Sequence, residues 1–370
     1  MINFIRIKNK PHKEMSIPVM IIMDVGLYLL CMGVFLLYFY ILPHKYNNSG
    51  KVVTTTDSTT QQFSLSDEDE SGEVYTSGSS KGDRGGRGDK SGSSTSGTTP
   101  NAVKNENTSE QKFDESAGES IKTSNKSSEE IQTYEDDKVS LTIDKVTTGT
   151  GSDKVTYYVA DVKVSNTSYL RTGFASGEYG KNIRESVQDM AKDNNAILAM
   201  SGDYYGNSDS SVVIRNGVLY RDDIVGTDIC VLFSDGTMKT YSPDKFDVDE
   251  VIAAGAWQAW NFGPSLLDDN GEIATSFNTT SYLNSENPRA AIGYLEPGHY
   301  VLVTVDGRNE GYSRGVTLSE LAGIMSSLGC KVAYNLDGGK SSAMVYNGEY
   351  VNQPADGGRT ISDIIYIGEE

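Results

Sequence analysis

Apolar residues fall into three regimes along this chain. From Ile17 to Leu42 they are almost continuous, from Tyr46 to about Glu130 they nearly vanish, and from Val139 onward they return in short runs. The first regime is about the length needed to span a bilayer, with Asp24 its one charge. The second is Ser, Thr, Gly, Asp, Glu and Lys, too poor in apolar surface to offset the entropy of ordering. It reads as a flexible tether with a span of roughly 50 Å. The third has the periodicities of a folded domain.

Val139 to Val146 and Val155 to Val164 alternate apolar and polar residues around a turn at Gly149 to Asp153, which predicts a hairpin. Lys181 to Lys192 sets Ile183, Val187, Met190 and Ala191 on one helical face. Ala196 to Met200 is a short apolar strand that runs into Ser201-Gly202-Asp203-Tyr204-Tyr205-Gly206. Asn216-Gly217, Asp235-Gly236 and Asn347-Gly348 each sit between strand-like runs, the two-residue hairpin signal. His299 to Val305 is a strand that ends in Asp306-Gly307-Arg308. Thr317-Leu318-Ser319-Glu320 is a capping box, Leu318, Leu321, Ala322, Met325 and Leu328 keep helical spacing, and Gly329 ends the helix. Val332 to Leu336 is the next strand. Strand, helix and strand in this order form a βαβ crossover, so the two strands run parallel and present Asp306 and Asp337 at one edge of the sheet.

The fold class expected is therefore α+β, a mixed β-sheet core with a βαβ crossover near the C-terminus, preceded by a transmembrane helix and a disordered tether. Residues 1–16 form a basic tail, 17–42 the transmembrane segment, 43–135 the linker and 136–370 the folded domain. Arg6, Lys8, Lys10 and Lys13 precede the span, which places the amino terminus in the cytoplasm and the domain outside. No small-residue cleavage site follows the apolar run, which favours a signal anchor over a cleaved signal peptide.

The candidate chemistry lies at Asn335-Leu336-Asp337-Gly338-Gly339-Lys340-Ser341-Ser342. Glycines allow positive φ, so successive N–H groups can face one concavity that suits an anion, with Lys340 and two hydroxyls beside it. A nucleotide-binding P-loop is excluded by spacing, because its first glycine would fall on Tyr334.

Further motifs occur in order: Asn287-Pro288-Arg289-Ala290-Ala291-Ile292-Gly293, Val305-Asp306-Gly307-Arg308, Gly311-Tyr312-Ser313, then Gly315 through Ala322 and Asn335 through Gly339. Asn347-Gly348, Asn352-Gln353-Pro354, Arg359 and Ser362-Asp363 continue the series. This chain resembles the phosphodiester glycosidase family over roughly residues 140–370. Two positions depart from the family pattern: Lys340 replaces a third glycine, and Ser201-Gly202 replaces Asn-Gly. The resemblance implies a hydrolase that cleaves the glycosidic bond of sugar-1-phosphodiesters in phosphate-linked surface glycans.

A phosphate leaving group is already a stable anion, so such a site needs cations and N–H donors for it and a carboxylate near the anomeric carbon. Asp306 and Asp337 are the candidate catalytic groups, with the choice of base left open. Arg289, Arg308, Asn335, Gly338, Gly339, Lys340, Ser341 and Ser342 are the candidate phosphate and substrate ligands. The family's use of the 201–206 turn adds Asp203 and Tyr204. Trp257, Trp260 and Phe262 are aromatic faces suited either to a sugar ring or to core packing.

Composition narrows the rest. A net charge of −19 disfavours nucleic acid and requires local capture of an anionic substrate. Cys31 lies in the apolar span; Cys230 and Cys330 could pair but stand in apolar settings, which favours buried free thiols, and no Cys/His cluster calls for zinc. No cofactor is expected. Two other classes remain: a non-catalytic glycan-binding module, and a metal-dependent phosphodiesterase with Asp203, Asp306, Asp337 and Asn335 as oxygen ligands.

Overall fold

Apolar runs that read as single strands in sequence become strands of three large sheets, beside a fourth sheet of two short strands, in a computed structural model of the protein. The structure describes residues 17–46, 50–52, 62–65 and 126–369. The expected basic tail and most of the expected linker lie outside the described residues. Helix α1 (Ile17–Tyr40) carries the apolar run and is exposed along its whole length. It is long and apolar enough to cross a membrane.

In chain order the first strands are β1 (His44–Lys45), β2 (Lys51–Val52), β3 (Ser127–Glu135), β4 (Val139–Thr148), β5 (Val155–Val164), β6 (Leu170–Phe174) and β7 (Gly180–Lys181). Helix α2 (Val187–Asp193) leads to β8 (Leu198–Ser201), β9 (Val212–Arg215), β10 (Val218–Asp222), β11 (Ile229–Phe233) and β12 (Met238–Tyr241). After α3 (Val248–Ala253) come β13 (Ala256–Trp260), α4 (Ser281–Asn284), β14 (Arg289–Glu296) and β15 (His299–Val305). The chain closes with α5 (Leu318–Ser327), β16 (Val332–Leu336), β17 (Met344–Tyr346), β18 (Glu349–Tyr350) and β19 (Asp363–Ile367).

The largest sheet has the order β16-β14-β15-β5-β4-β3, with every neighbouring pair antiparallel. β15 and β16 are parallel to each other, as the crossover implied, but β14 lies between them and pairs with both. Both faces of this sheet are covered. Tyr158, Ala160 and Val162 of β5 face the central core, which also holds Trp260, Leu198, Met344 and Ile365 from the other two sheets. Val155, Tyr157 and Val159 face α5 through Leu318, Leu321 and Met325. A strand buried on both faces reads as a continuous apolar run, which is why His299 to Val305 shows little alternation.

The other two sheets, β12-β11-β13-β9-β10-β2 and β18-β17-β8-β19-β6, close the far side of the core. Helix α3 covers the outer face of the first, and α2 that of the second. Asn216 and Gly217, at φ 51 and 73, make the expected two-residue turn between β9 and β10. At Asp235-Gly236 the loop is longer: Phe233 N–H donates to Thr237 O across residues 234–236, and Asp235 accepts from the Thr237 amide. The capping box is present, with Thr317 accepting from the Glu320 amide and Glu320 reaching back to the Thr317 amide. Helix α2 starts later than its apolar spacing implied, because Lys181 is paired in β7 and Ser186 is the N-cap. Strand β3 lies just ahead of residue 136 and adds an exposed polar edge to the large sheet.

Candidate active site

Because β15 and β16 are parallel, their carboxyl ends reach the same edge, and antiparallel β14 begins there. Arg289 is paired with Val305, and Ala290 with Leu336. Asp306, Asp337 and Arg289 therefore gather at one sheet edge, as the strand pattern implied. Their side chains do not share one site.

Asp337 enters a cleft of about 520 Å³. Its amide donates to Gly202 O at 3.1 Å, and Ser201 Oγ donates to its carbonyl at 3.3 Å, so the 201–206 turn fixes its backbone. Arg359 Nη2 lies 3.2 and 3.0 Å from the two carboxylate oxygens, while Arg359 Nε donates to Ser341 Oγ at 2.6 Å. Burial pushes the Asp337 carboxyl up to about 6, against the opposing pull of Arg359 and the Ser341 hydrogen bond. This is the range of a group that exchanges protons near neutral pH.

Arg308, Lys340 and Asn287 line the same cleft, as do Gly338 and Gly339. Arg308 holds φ 58, a strained conformation for a residue with a side chain, and its Nη2 donates to Asn287 Oδ1 at 2.7 Å. Lys340, at the departure from the family pattern, pairs with Asp356 at 2.7 Å on the rim. The glycines serve close approach more than an N–H nest. A Cβ on Gly338 would stand 2.6 Å from Pro288 O, and the Gly339 amide donates to that same carbonyl. One wall is apolar, formed by Tyr204, Phe262 and Leu283. Tyr204 lies edge-on to Phe262 at 6.3 Å and beneath the Arg359 guanidinium at 5.7 Å.

The remaining expected ligands are engaged elsewhere. Asp306 is buried and accepts from Asn352 Nδ2, the Gln353 amide and Tyr312 OH; burial raises its carboxyl despite these bonds. It does not line the cleft, because the loop after β15 turns its carboxylate toward the 352–353 segment. Arg289 is buried with its guanidinium on the carbonyls of Val316, Leu283 and Ser285, and desolvation brings its pKa down to about 10. It closes a loop and does not reach the cleft. Asn335 donates to Gly263 O, Ser342 donates to Arg289 O, and Ser341 holds Arg359.

Asp203 is likewise set behind the cleft wall. It accepts from Arg215 Nη2 at 3.1 Å, from the Asn261 amide at 2.9 Å and from the Tyr204 amide. Arg215 also pairs with Asp363 at 3.0 Å, so a fully buried guanidinium joins two carboxylates and anchors the turn that carries Tyr204. Burial raises Asp363, with Arg215 pulling the other way. Trp257 and Trp260 are core residues; of the aromatic trio only Phe262 meets the cleft. Cys230 and Cys330 are free and buried.

Three cleft residues were not among the expected ligands: Arg359, Asn287 and Leu283. Arg359 and Asn287 do stand inside the ordered motifs, and that is the one sequence signal that marks them. Leu283 carries none.

An α+β domain with a cationic cleft at the end of a parallel strand pair is the class that fold and site define. Residues 194–368 match the family described as phosphodiester glycosidase. Among curated proteins it is similar to the SPbeta prophage-derived uncharacterized protein YomE of Bacillus subtilis (strain 168). The two are 34% identical over 254 residues, 61% of this chain and 39% of that protein. It is also similar to the N-acetylglucosamine-1-phosphodiester alpha-N-acetylglucosaminidase of Mus musculus, at 27% identity over 210 residues, 51% of this chain and 39% of that enzyme. The chain thus spans about two fifths of the length of either relative. The catalytic domain of the zebrafish enzyme superposes with a TM-score of 0.52 at 20% identity, covering 66% of this chain and 88% of that one. That likeness shows the fold.

Proposed function

We propose that the domain hydrolyses the glycosidic bond of sugar-1-phosphodiesters, with Asp337 as the general base at the anomeric carbon. The observation that carries this reading is the charge of the cleft. Arg308, Lys340 and Arg359 set three positive charges against the carboxylates of Asp337 and, on the rim, Asp356, a local excess of one on a chain whose net charge is −19. Such a cleft captures an anion locally where the overall field repels it.

Asp337 takes a proton from a water whose oxygen bonds to C1. The bond between C1 and the phosphate oxygen breaks, and its electron pair leaves with the phosphate monoester. Arg308 and Lys340 hold the phosphate oxygens and offset the charge that builds on them. Arg359 and Ser341 fix the orientation of the base. Tyr204 and Phe262 offer faces to the sugar ring. The names of the relatives point to N-acetylglucosamine as the sugar. With α1 read as a signal anchor, the domain works outside the membrane on phosphate-linked surface glycans or glycoconjugates.

The metal-dependent phosphodiesterase reading needs Asp203, Asp306, Asp337 and Asn335 to converge, and they face separate surroundings. Among the described residues no three His, Cys, Asp or Glu side chains cluster as a metal site would need. The test is hydrolysis of the methyl diester of N-acetylglucosamine 1-phosphate in ¹⁸O water. Label in the free sugar is expected. Label in phosphate overturns the reading in favour of attack at phosphorus, and binding without turnover makes the domain a glycan-binding module.

A further inference from the structure

The chain just after α1 is built into the domain. His44 pairs with Lys181 and Lys45 with Gly180. Asn182 Nδ2 donates to Leu42 O at 3.1 Å, and the Tyr46 amide donates to Tyr179 O at 3.2 Å. Lys45 pairs with Glu178, and the His44 ring rests on Tyr38 of α1 at 4.5 Å. A Cβ on Gly180 would stand 2.3 Å from His44 O, so the strap fits closely. Lys51 and Val52 then pair with β10, and the Phe63 amide donates to Ser165 O at 2.8 Å.

This edge of the domain supports the cleft. The Asn182 amide donates to Gly206 O at 3.0 Å. Tyr46 packs on Tyr179 at 5.3 Å, and Tyr179 stacks on Tyr205 at 5.3 Å. The next residue back, Tyr204, is the cleft wall. Three residues separate the end of α1 from His44 in β1, four Cα–Cα steps with a reach of at most about 14 Å.

We infer that the 41–46 strap holds the cleft at the bilayer surface, so that its substrates are sugar-1-phosphodiesters whose alcohol is a lipid. The inference rests on the glycosidase reading. The reaction is the same one, with water adding to C1 and the lipid phosphate monoester leaving. A tether of roughly 50 Å would present the domain to distant glycans; a docked strap presents it to the membrane in which the lipid substrate is concentrated.

The experiment uses the full chain in lipid vesicles, with the hexadecyl and methyl diesters of N-acetylglucosamine 1-phosphate as substrates. The hexadecyl diester is expected to be favoured by about 10-fold or more in kcat/KM, from confinement to one surface. A Gly/Ser spacer of roughly 20 residues inserted after Tyr40 lifts the domain while leaving the strap in place. It should abolish that preference and spare methyl diester turnover. A preference that survives the spacer overturns the proposal, and so does turnover of the methyl diester alone by the parent. The second result leaves the glycosidase reading intact, whereas no turnover of either substrate overturns both. A second measurement reads the strap itself. The pair His44→Cys and Lys181→Cys should cross-link under mild oxidation, since register partners lie within disulfide reach. Failure to cross-link overturns the docked strap.

Discussion

The ends of β15 and β16 offer the same local design and different outcomes. Each strand is short, apolar and parallel to the other, and each ends in Asp-Gly. After β15 the carboxylate of Asp306 is closed in by Asn352, Gln353 and Tyr312, with its oxygens held by donors, and it does not line the cleft. After β16 the carboxylate of Asp337 opens on the cleft beside three cations. A strand end supplies position, and the segments that fold over it decide whether a carboxylate opens on the cleft or braces a loop. The same contrast divides the arginines. Arg289 is fixed on three carbonyls, while Arg308 keeps its guanidinium in the cleft.

Asp337→Asn is the sharpest way to break the comparison. Turnover should fall by at least about 100-fold, the low end for a positioned acid or base. Stability should move the other way at neutral pH. The folded carboxyl titrates at about 6, above the ordinary value of ~3.9 in the unfolded chain. Between those pH values the folded state holds the extra proton, so stability is lost as pH rises through the window. The variant removes that cost, and Arg359 stays half-solvated when freed. Its Tm should exceed the parent's at neutral pH and converge with it below about pH 4. Calorimetry across pH checks this, and a lower Tm at neutral pH would place the carboxylate in a stabilising pair.

Arg308→Lys keeps the charge and loses the planar fork. Turnover of the phosphodiester should drop by about 10-fold, the worth of one charge-assisted hydrogen bond. An activated aryl glycoside of the same sugar should be unaffected. Equal losses on both substrates would remove the phosphate clamp from Arg308.

Asp306→Asn should have the smallest effect on chemistry. The amide keeps one acceptor and sets a donor against the Gln353 amide or Tyr312 hydroxyl, which costs about 1–3 kcal/mol of stability. Turnover measured well below the Tm should change far less than the roughly 100-fold of a lost acid or base. A loss as large as that of Asp337→Asn would return Asp306 to the reaction.

The sequence made β16, the α5 capping box and the Asn-Gly turns legible because each rests on neighbours within a few residues. The parallel relation of β15 and β16 was legible too, since the crossover depends on helix length and handedness. Which Asp faces the cleft was not. Asn352 and Gln353 lie more than 40 residues beyond Asp306, and Arg359 lies 22 beyond Asp337. Strand β3 escaped for a different reason: an exposed edge of Ser, Glu, Gln and Thr has no apolar alternation to reveal it. Trp257 and Trp260 showed only that large aromatics bury somewhere.

The pH dependence of kcat/KM tests the central claim most directly. If ionised Asp337 is the base, the parent's kcat/KM should fall about tenfold per pH unit on the acid side of an inflection near 6, and Asp337→Asn should leave a low residual rate without that limb. An acid limb near 6 that persists in Asp337→Asn would contradict the account, because the titrating group would then be another residue.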